Sequence, residues 1–291
     1  MAYDPLVINF AKTSALILRT YEYSETSYVV SLLTRDYGKL HALAKGARRP
    51  KGPFGGEIDL FAEGQAVLVM HPETSLHLLT EFSCRRRWLG LRGALDRAYA
   101  ACYAAEIAGA ASPEGLPQPE LYELVTTTLD SLESGDAAAT VAFFQVHLLM
   151  LAGFMPDLQS CTVCGKTVSG RQVSYCFARS GLLCAECSQG GSAKPDGRGV
   201  GLGVEDASSA GSGIQKPQAP SPKPFRTSGA AVTLIRSLAR EGGAAISRTR
   251  VPRPLALETI RFLGYLIASA FEHDPSPLAN LLPRLKKNDA R

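Results

Sequence analysis

The sequence C-T-V-C-G-K at residues 161–166 and the sequence C-A-E-C at residues 184–187 form two pairs of cysteines. A C-x-x-C pair directs two sulfur atoms at one point, and two pairs about twenty residues apart are typical of a four-cysteine zinc site. Four thiolates complete a tetrahedral shell and leave no position for a catalytic water, which indicates a structural ion. The predicted ligands of one structural Zn²⁺ are Cys161, Cys164, Cys184 and Cys187.

The segment 161–187 has few large apolar side chains, so the metal is expected to be the reason that it folds. Apparent zinc binding of about 10–16 kcal/mol is as large as the stability of a whole domain, about 5–15 kcal/mol. Gly165 follows the second cysteine and permits the positive φ that such a turn needs. Cys176 lies inside the segment and could replace a ligand; we expect it instead to be a small buried residue.

Length and composition are those of a globular protein with two or three domains in its 291 residues. The mean hydropathy is +0.01, and the apolar runs are too short to span a bilayer. The first residues lack the charged and apolar regions of a secretory signal. Seven cysteines, four of them in metal-type pairs, indicate a reducing compartment. We therefore expect a cytoplasmic protein with no membrane partner.

Charge is distributed unevenly along the chain. Residues 1–100 carry 13 Lys and Arg against 10 Asp and Glu, residues 101–190 carry 3 against 9, and residues 191–291 carry 15 against 8. Basic ends of this kind favour an acidic partner such as nucleic acid. The alternative is uneven surface charge without functional meaning.

The first 83 residues have the short alternating or β-branched segments of an all-β domain. The predicted strands are Ser14–Thr20, Ser27–Thr34, Lys39–Lys45, Ile58–Met70 and Ser75–Phe82. Five short strands within about seventy residues suit a small closed barrel of the OB type.

Helical spacing of apolar residues begins after Trp88 and continues to residue 152, with Asp136 as a predicted N-cap. Two further helices are expected at 229–240 and 255–272, and His147 should be buried and hydrogen-bonded.

The fold class is therefore multidomain α+β. We predict an OB domain at 1–83, a helical domain at 84–160 and 229–283, a zinc module inserted in it at 161–187, a flexible linker at 188–228 and a basic tail at 284–291.

Ten cations on or near the predicted barrel are candidate DNA-binding residues. Tyr37 and Phe54 lie beside them and are suited to stacking on bases. The alternative is a solvated charged loop. The candidate residues are Arg35, Lys39, Lys45, Arg48, Arg49, Lys51, Arg85, Arg86, Arg87 and Arg92.

Motifs of enzymatic chemistry are weak in this sequence. Residues 160–167 nearly match a phosphate-binding loop, but Ser160 stands where that loop needs glycine. Residues 71–73 have the H-x-E form of zinc deaminases without the companion P-C-x-x-C. We predict no catalytic residues. Two rival functions remain open: a transcription or translation factor that combines a zinc ribbon with an OB barrel, and a metal-dependent nucleic-acid enzyme.

Several stretches together resemble the RecO family, the bacterial recombination mediators of DNA repair. They are A-L-I-L-R at 15–19, the turn at 21–27, L-T-x-x-Y-G-K-L at 33–40, A-K-G-A-R-R at 44–49, F-G-G at 54–56 and L-x-G-F-x-P at 151–156, followed by the cysteine pairs. The resemblance spans residues 13–187 and, more loosely, 229–283.

The resemblance implies a non-catalytic protein with an OB domain, a helical domain and a four-cysteine zinc module. RecO-like proteins bind single- and double-stranded DNA, anneal complementary strands, associate with RecR and help to load RecA onto strands coated by single-stranded-DNA-binding protein (SSB), whose acidic tail is a partner. It also implies a cytoplasmic, nucleoid-associated protein. Lys39, Lys45, Arg48, Arg49 and Lys51 fall in the family's basic barrel region, and the four cysteines match its zinc ligands. The segment 188–224 is longer than we expect of the family.

Overall fold

A computed structural model describes residues 9–49, 51–71, 73–189, 224–241, 251–272 and 276–286. The chain divides into two compact units, one of residues 1–155 and 237–291 and the other of residues 156–236. None of the helices described in these ranges is both long and apolar enough to cross a membrane.

The first unit begins with a five-stranded closed barrel. Around the barrel the strands follow the order β1-β2-β3-β5-β4, and every neighbouring pair is antiparallel except β3 and β5. The five predicted strands are confirmed in number and place, although residues 58–62 precede the fourth strand. The strands are β1 (Phe10–Glu22), β2 (Tyr28–Thr34), β3 (Gly38–Ala44), β4 (Glu63–Val69) and β5 (Leu76–Arg86).

The barrel interior is filled by the inward side of each strand together with residues of the loop before β4. Ile17, Leu32 and Leu68 are fully buried there. Phe54 is part of the same core and is 3% exposed. The expectation that Phe54 stacks on bases is therefore wrong, because its ring is buried in the barrel core. Tyr37 is half-buried against that core.

The helices of the chain come from both sides of the cysteine module. Within the first unit α3 packs against α6 and α1 packs against α7. The predicted N-cap of α3 is confirmed, since the Asp136 carboxylate accepts from the Ala139 N–H at 2.7 Å. The helices are α1 (Leu95–Ala111), α2 (Pro119–Ser134), α3 (Ala137–Leu151), α4 (Ala185–Ser188), α5 (Gly229–Leu238), α6 (Arg253–Ala270) and α7 (Ser276–Lys286).

The second unit contains a small antiparallel sheet in the order β7-β6-β8, formed by β6 (Gln172–Cys176), β7 (Gly181–Leu183) and β8 (Phe225–Ser228). The sequence places residues 225–228 in a flexible linker, and for them that prediction is wrong. Thr227 is buried against the sheet and the Phe225 ring meets Phe177 edge-on, which holds the strand. Residues 190–223 of the predicted linker lie outside the described residues.

The predicted basic tail begins inside α7, which runs to Lys286. Arg284 lies over the Tyr99 ring of α1, with its guanidinium carbon 5.0 Å from the ring centre. This residue is therefore part of the helical packing, while 287–291 lie outside the described ranges.

Candidate metal centre and nucleic-acid interface

The four predicted metal ligands come together in the second unit. The Sγ atoms of Cys161, Cys164, Cys184 and Cys187 all lie within 4.8 Å of one another, and those of Cys164 and Cys184 are 3.7 Å apart. A tetrahedral zinc with Zn–S bonds of about 2.3 Å separates its sulfurs by about 3.8 Å. The cluster therefore has the dimensions of a four-thiolate site. Cys176 is half-buried and lies outside the cluster.

Backbone turns hold the two cysteine pairs. The Cys161 N–H donates to the Lys166 carbonyl and the Gly165 N–H donates to the Cys161 carbonyl, each at 2.8 Å. Gly165 has φ 71°, the positive value expected for it. The second pair brackets the start of α4, and an ion pair of 2.9 Å between Lys166 and Glu186 joins the two turns.

The thiols favour a shared cation. Burial opposes ionisation of Cys161, but the backbone N–H groups of Cys184, Cys164 and Val163 outweigh it and lower the pKa of Cys161 to about 6. The hydrogen bond with Cys184 is the largest cause that raises the pKa of Cys187, to about 12. Four thiolates this close repel one another unless a dication neutralises them. The donor set therefore fits a divalent soft-ligand metal.

The basic loop, which we define as residues 45–49 and 51, lies at one end of the barrel beside the hairpin tip, residues 23–27. The Arg48 N–H donates to the Thr26 carbonyl at 3.0 Å, and the Gly46 N–H donates to the Ser27 hydroxyl at 3.2 Å. The Arg48 side chain donates to the Ser24 carbonyl at 2.9 Å. These bonds fix the basic loop and the hairpin tip as one surface.

Two family models match the chain: the N-terminal part of recombination protein O at residues 8–87, and its C-terminal part at residues 92–203. The DNA repair protein RecO of Anaeromyxobacter dehalogenans is 36% identical over 181 residues, which cover 62% of this chain and 71% of that protein. The chain belongs to the RecO family. The N-terminal match contains all five barrel strands, and the C-terminal match contains α1–α3 and both cysteine pairs.

Two other relatives show the same extent of similarity. The DNA repair protein RecO of Rhodopirellula baltica is 39% identical over 176 residues, 60% of this chain and 65% of that protein. The DNA repair protein RecO of Desulfitobacterium hafniense is 33% identical over 189 residues, 65% of this chain and 68% of that protein. The chain thus spans about two thirds of the length of the RecO relatives that it matches.

The candidate cations of this RecO-family chain divide into two groups. Lys45, Arg49 and Lys51 are exposed, and their side chains make no hydrogen bond or ion pair with the residues that the structure describes. The other seven have internal partners. Arg48 pairs with Glu22 at 3.1 Å, and its guanidinium carbon lies over the Tyr28 ring, 5.6 Å from the ring centre.

Lys39 and Arg86 connect the barrel to the helices. The Lys39 ammonium donates to the Gly109 carbonyl of α1 at 2.9 Å. Arg86 pairs with Asp130 of α2 at 2.7 Å and with Glu63 of β4 at 3.6 Å. Removal of either cation therefore tests packing as well as DNA contact.

The remaining four cations lie in exposed pairs or bonds that DNA phosphates can compete for. Arg35 pairs with Glu123 at 3.0 Å, and Arg92 pairs with Asp59. Arg85 donates to the Gln65 amide oxygen at 3.2 Å, and Arg87 contacts Cys84 Sγ at 3.3 Å, which raises the pKa of the guanidinium. Surface pairs of this type contribute little to stability.

Two exposed tyrosines near the basic loop are not among the candidate residues that the sequence predicts. Tyr21 is 48% exposed near the end of β1, and Tyr23 is 63% exposed in the hairpin tip. The alternation of β1 carries the signal, because Arg19 and Tyr21 fall on the side opposite to Ile17 once the bulge between Ile17 and Arg19 is counted. Sequence alone does not show where that bulge lies.

Proposed function

We propose that this chain is a non-catalytic recombination mediator in the repair of DNA gaps and double-strand breaks. Its relatives carry the name DNA repair protein RecO, and the activity is carried over from them. In this proposal the protein binds single- and double-stranded DNA, anneals complementary strands and, with RecR, helps to load RecA onto SSB-coated DNA. The supporting observation is the exposed cationic surface of the basic loop, which is fastened to the hairpin tip.

The barrel is proposed to be an OB fold that carries the DNA contacts. OB barrels bind oligonucleotides on one strand face and on the loops that border it. In this chain the basic loop and the hairpin tip border the same end of the barrel, and Lys45, Arg49 and Lys51 project there without internal partners among the described residues. A phosphate backbone with one charge per nucleotide matches such a row of cations.

The metal is proposed to be one structural Zn²⁺ held by the four cysteines. A bound zinc would fix the two turns and supply no open coordination position. We place the DNA contacts on the barrel, so the metal module acts in stability or partner docking. The acidic tail of SSB is the proposed partner of the helices, and the protein is proposed to work in the cytoplasm at the nucleoid.

A strand-annealing assay with SSB-coated complementary oligonucleotides tests the function. The variant Lys45→Glu/Arg49→Glu should anneal much more slowly than the wild type. The control is Lys12→Glu/Lys286→Glu, which changes the net charge equally at two exposed lysines, one at the opposite end of β1 and one on α7. Failure of the wild type to anneal counts against the function, and equal loss in both variants counts against the basic loop as the site.

A further inference from the structure

The outer face of the barrel carries an apolar stripe that crosses four strands. Tyr21 of β1 is in register with Val29 of β2, Val29 with Leu43 of β3, and Leu43 with Leu78 of β5. Their neighbours Val30 and Ala42 point inward and are fully buried. The stripe therefore faces outward, and its members are half-buried or, in the case of Tyr21, 48% exposed.

Polar and cationic side chains border this stripe on both sides. In the next outward-facing row below it, two residue pairs away, Arg19 is in register with Ser31, and Ser31 with His41. Beyond its other side lie the hairpin tip with Tyr23, which is 63% exposed, and the basic loop that begins at Lys45. Apolar and aromatic groups flanked by cations are the arrangement by which proteins hold single-stranded nucleic acid, with bases on the rings and phosphates on the cations.

A groove of about 300 Å³ lies between α1 and the part of this face around Tyr21, and an Arg19–Glu106 ion pair of 2.9 Å joins its two walls. Its size is at the lower end of small-ligand sites and gives room for one nucleobase with its sugar. Tyr21 forms part of its wall, and the only hydrogen bond of the Tyr21 hydroxyl among the described residues is a 3.4 Å contact donated by Arg19. Side chains that line the groove include Arg19, Tyr21, Ser31, Lys39, His41 and Glu106.

We propose that Tyr21 and Tyr23 are base-stacking residues in the binding of single-stranded DNA by this barrel. The inference rests on the proposed DNA-binding function. It adds that the protein recognises the free faces of unpaired bases and not only the phosphates. Bases in a duplex already stack on one another, whereas those of a single strand offer free faces to the two rings. Stacking on an aromatic side chain is comparable in strength with stacking inside duplex DNA. A base can therefore leave the tyrosines for a complementary strand, as annealing requires.

The experiment compares a deoxythymidine oligonucleotide with an abasic oligonucleotide of the same length, by fluorescence anisotropy at one ionic strength. The wild type should bind the abasic strand at least about fivefold more weakly. Tyr21→Ala/Tyr23→Ala should lose about the same factor on the intact strand and little on the abasic strand. Tyr21→Phe/Tyr23→Phe should bind like the wild type, because stacking needs the ring and not the hydroxyl. Tyr265→Ala, on α6, is the control for removal of an exposed tyrosine elsewhere in the chain.

The outcomes separate this inference from the function on which it rests. A wild type that binds neither oligonucleotide overturns the proposed function. A wild type that binds both strands equally well overturns the stacking role alone, and no variant is needed for that result. Equal losses by the alanine variant on both strands overturn it as well, since the tyrosines would then act without the bases.

Discussion

The indole Nε1 of Trp88 donates a 2.6 Å hydrogen bond to the Asp130 carboxylate, which also accepts from Arg86 at 2.7 Å. The Arg86 guanidinium carbon lies 4.4 Å from the centre of the Trp88 ring. Trp88 is only 3% exposed, so its ring is largely shielded from water. The end of β5 is thereby attached to α2 by one shared carboxylate.

Asp130→Ala should lower the free energy of unfolding by about 1–3 kcal/mol, because it leaves the buried indole N–H without an acceptor. Asp130→Asn keeps an acceptor oxygen and should cost less. Urea denaturation of both variants gives the comparison. An alanine variant with the wild-type midpoint would show that this carboxylate does not hold the barrel to the helices.

Gly38→Ala should be destabilising at the start of β3. Gly38 has φ 65°, and a Cβ placed there would lie 1.9 Å from the Leu116 carbonyl oxygen. The left-handed conformation alone costs an L-residue about 1–2 kcal/mol, and the clash adds to this cost. Gly93→Ala is the control, since its Cβ would meet nothing within 4 Å. Similar melting temperatures for the two variants would contradict the close approach.

Removal of the metal should loosen the second unit and leave DNA binding by the barrel largely intact. Metal analysis of the purified protein should give one zinc per chain, and Cys164→Ser/Cys187→Ser should give almost none. The variant should be cleaved faster by protease within residues 156–236, because metal binding supplies the folding energy of such modules. Loss of DNA binding together with the zinc would instead favour a zinc-ribbon nucleic-acid-binding factor.

Stability should fall as the solution is acidified below about pH 6.5. Burial lowers the pKa of His147 from 6.5, and its Nε2 donates to the Leu238 carbonyl at 3.2 Å in the neutral ring. Between the lowered pKa and 6.5 the unfolded chain binds more protons, so stability is complete above this window and decreases within it. His147→Gln keeps an N–H donor and should flatten the decrease. Urea midpoints at pH 5.5 and 7.5 provide the test; an unchanged slope in the variant would exclude His147 as its source.

The sequence predicts structure best where the structure depends on residues that are near one another in the chain. The β strands follow alternation of apolar side chains, and Cys161 and Cys164 sit in a turn that their spacing dictates. The sequence predicts a buried, hydrogen-bonded His147; the hydrogen bond is confirmed, but the ring is only half-buried, with one side against Phe143.

What the sequence could not show depends on contacts between distant segments. Phe54 lies in a Gly- and Pro-rich loop that resembles a surface loop, yet the loop folds inward and buries the ring. Arg86 is one of three consecutive arginines, and only the position of Asp130, 44 residues later, separates its role from that of its neighbours. Strand β8 is four residues long, and it pairs with β6, which lies far earlier in the chain.

The salt dependence of single-stranded DNA binding tests most directly whether the basic loop is the DNA site. If Lys45, Arg49 and Lys51 each contact a phosphate, together they contribute about −2 to the slope of log affinity against log salt, since each contact contributes about −0.7. Lys45→Ala/Arg49→Ala/Lys51→Ala should reduce the magnitude of the slope by about 2 and weaken binding at low salt. The control Lys12→Ala/Arg171→Ala/Lys286→Ala should keep the wild-type slope. An unchanged slope and affinity in the basic-loop variant would contradict the account.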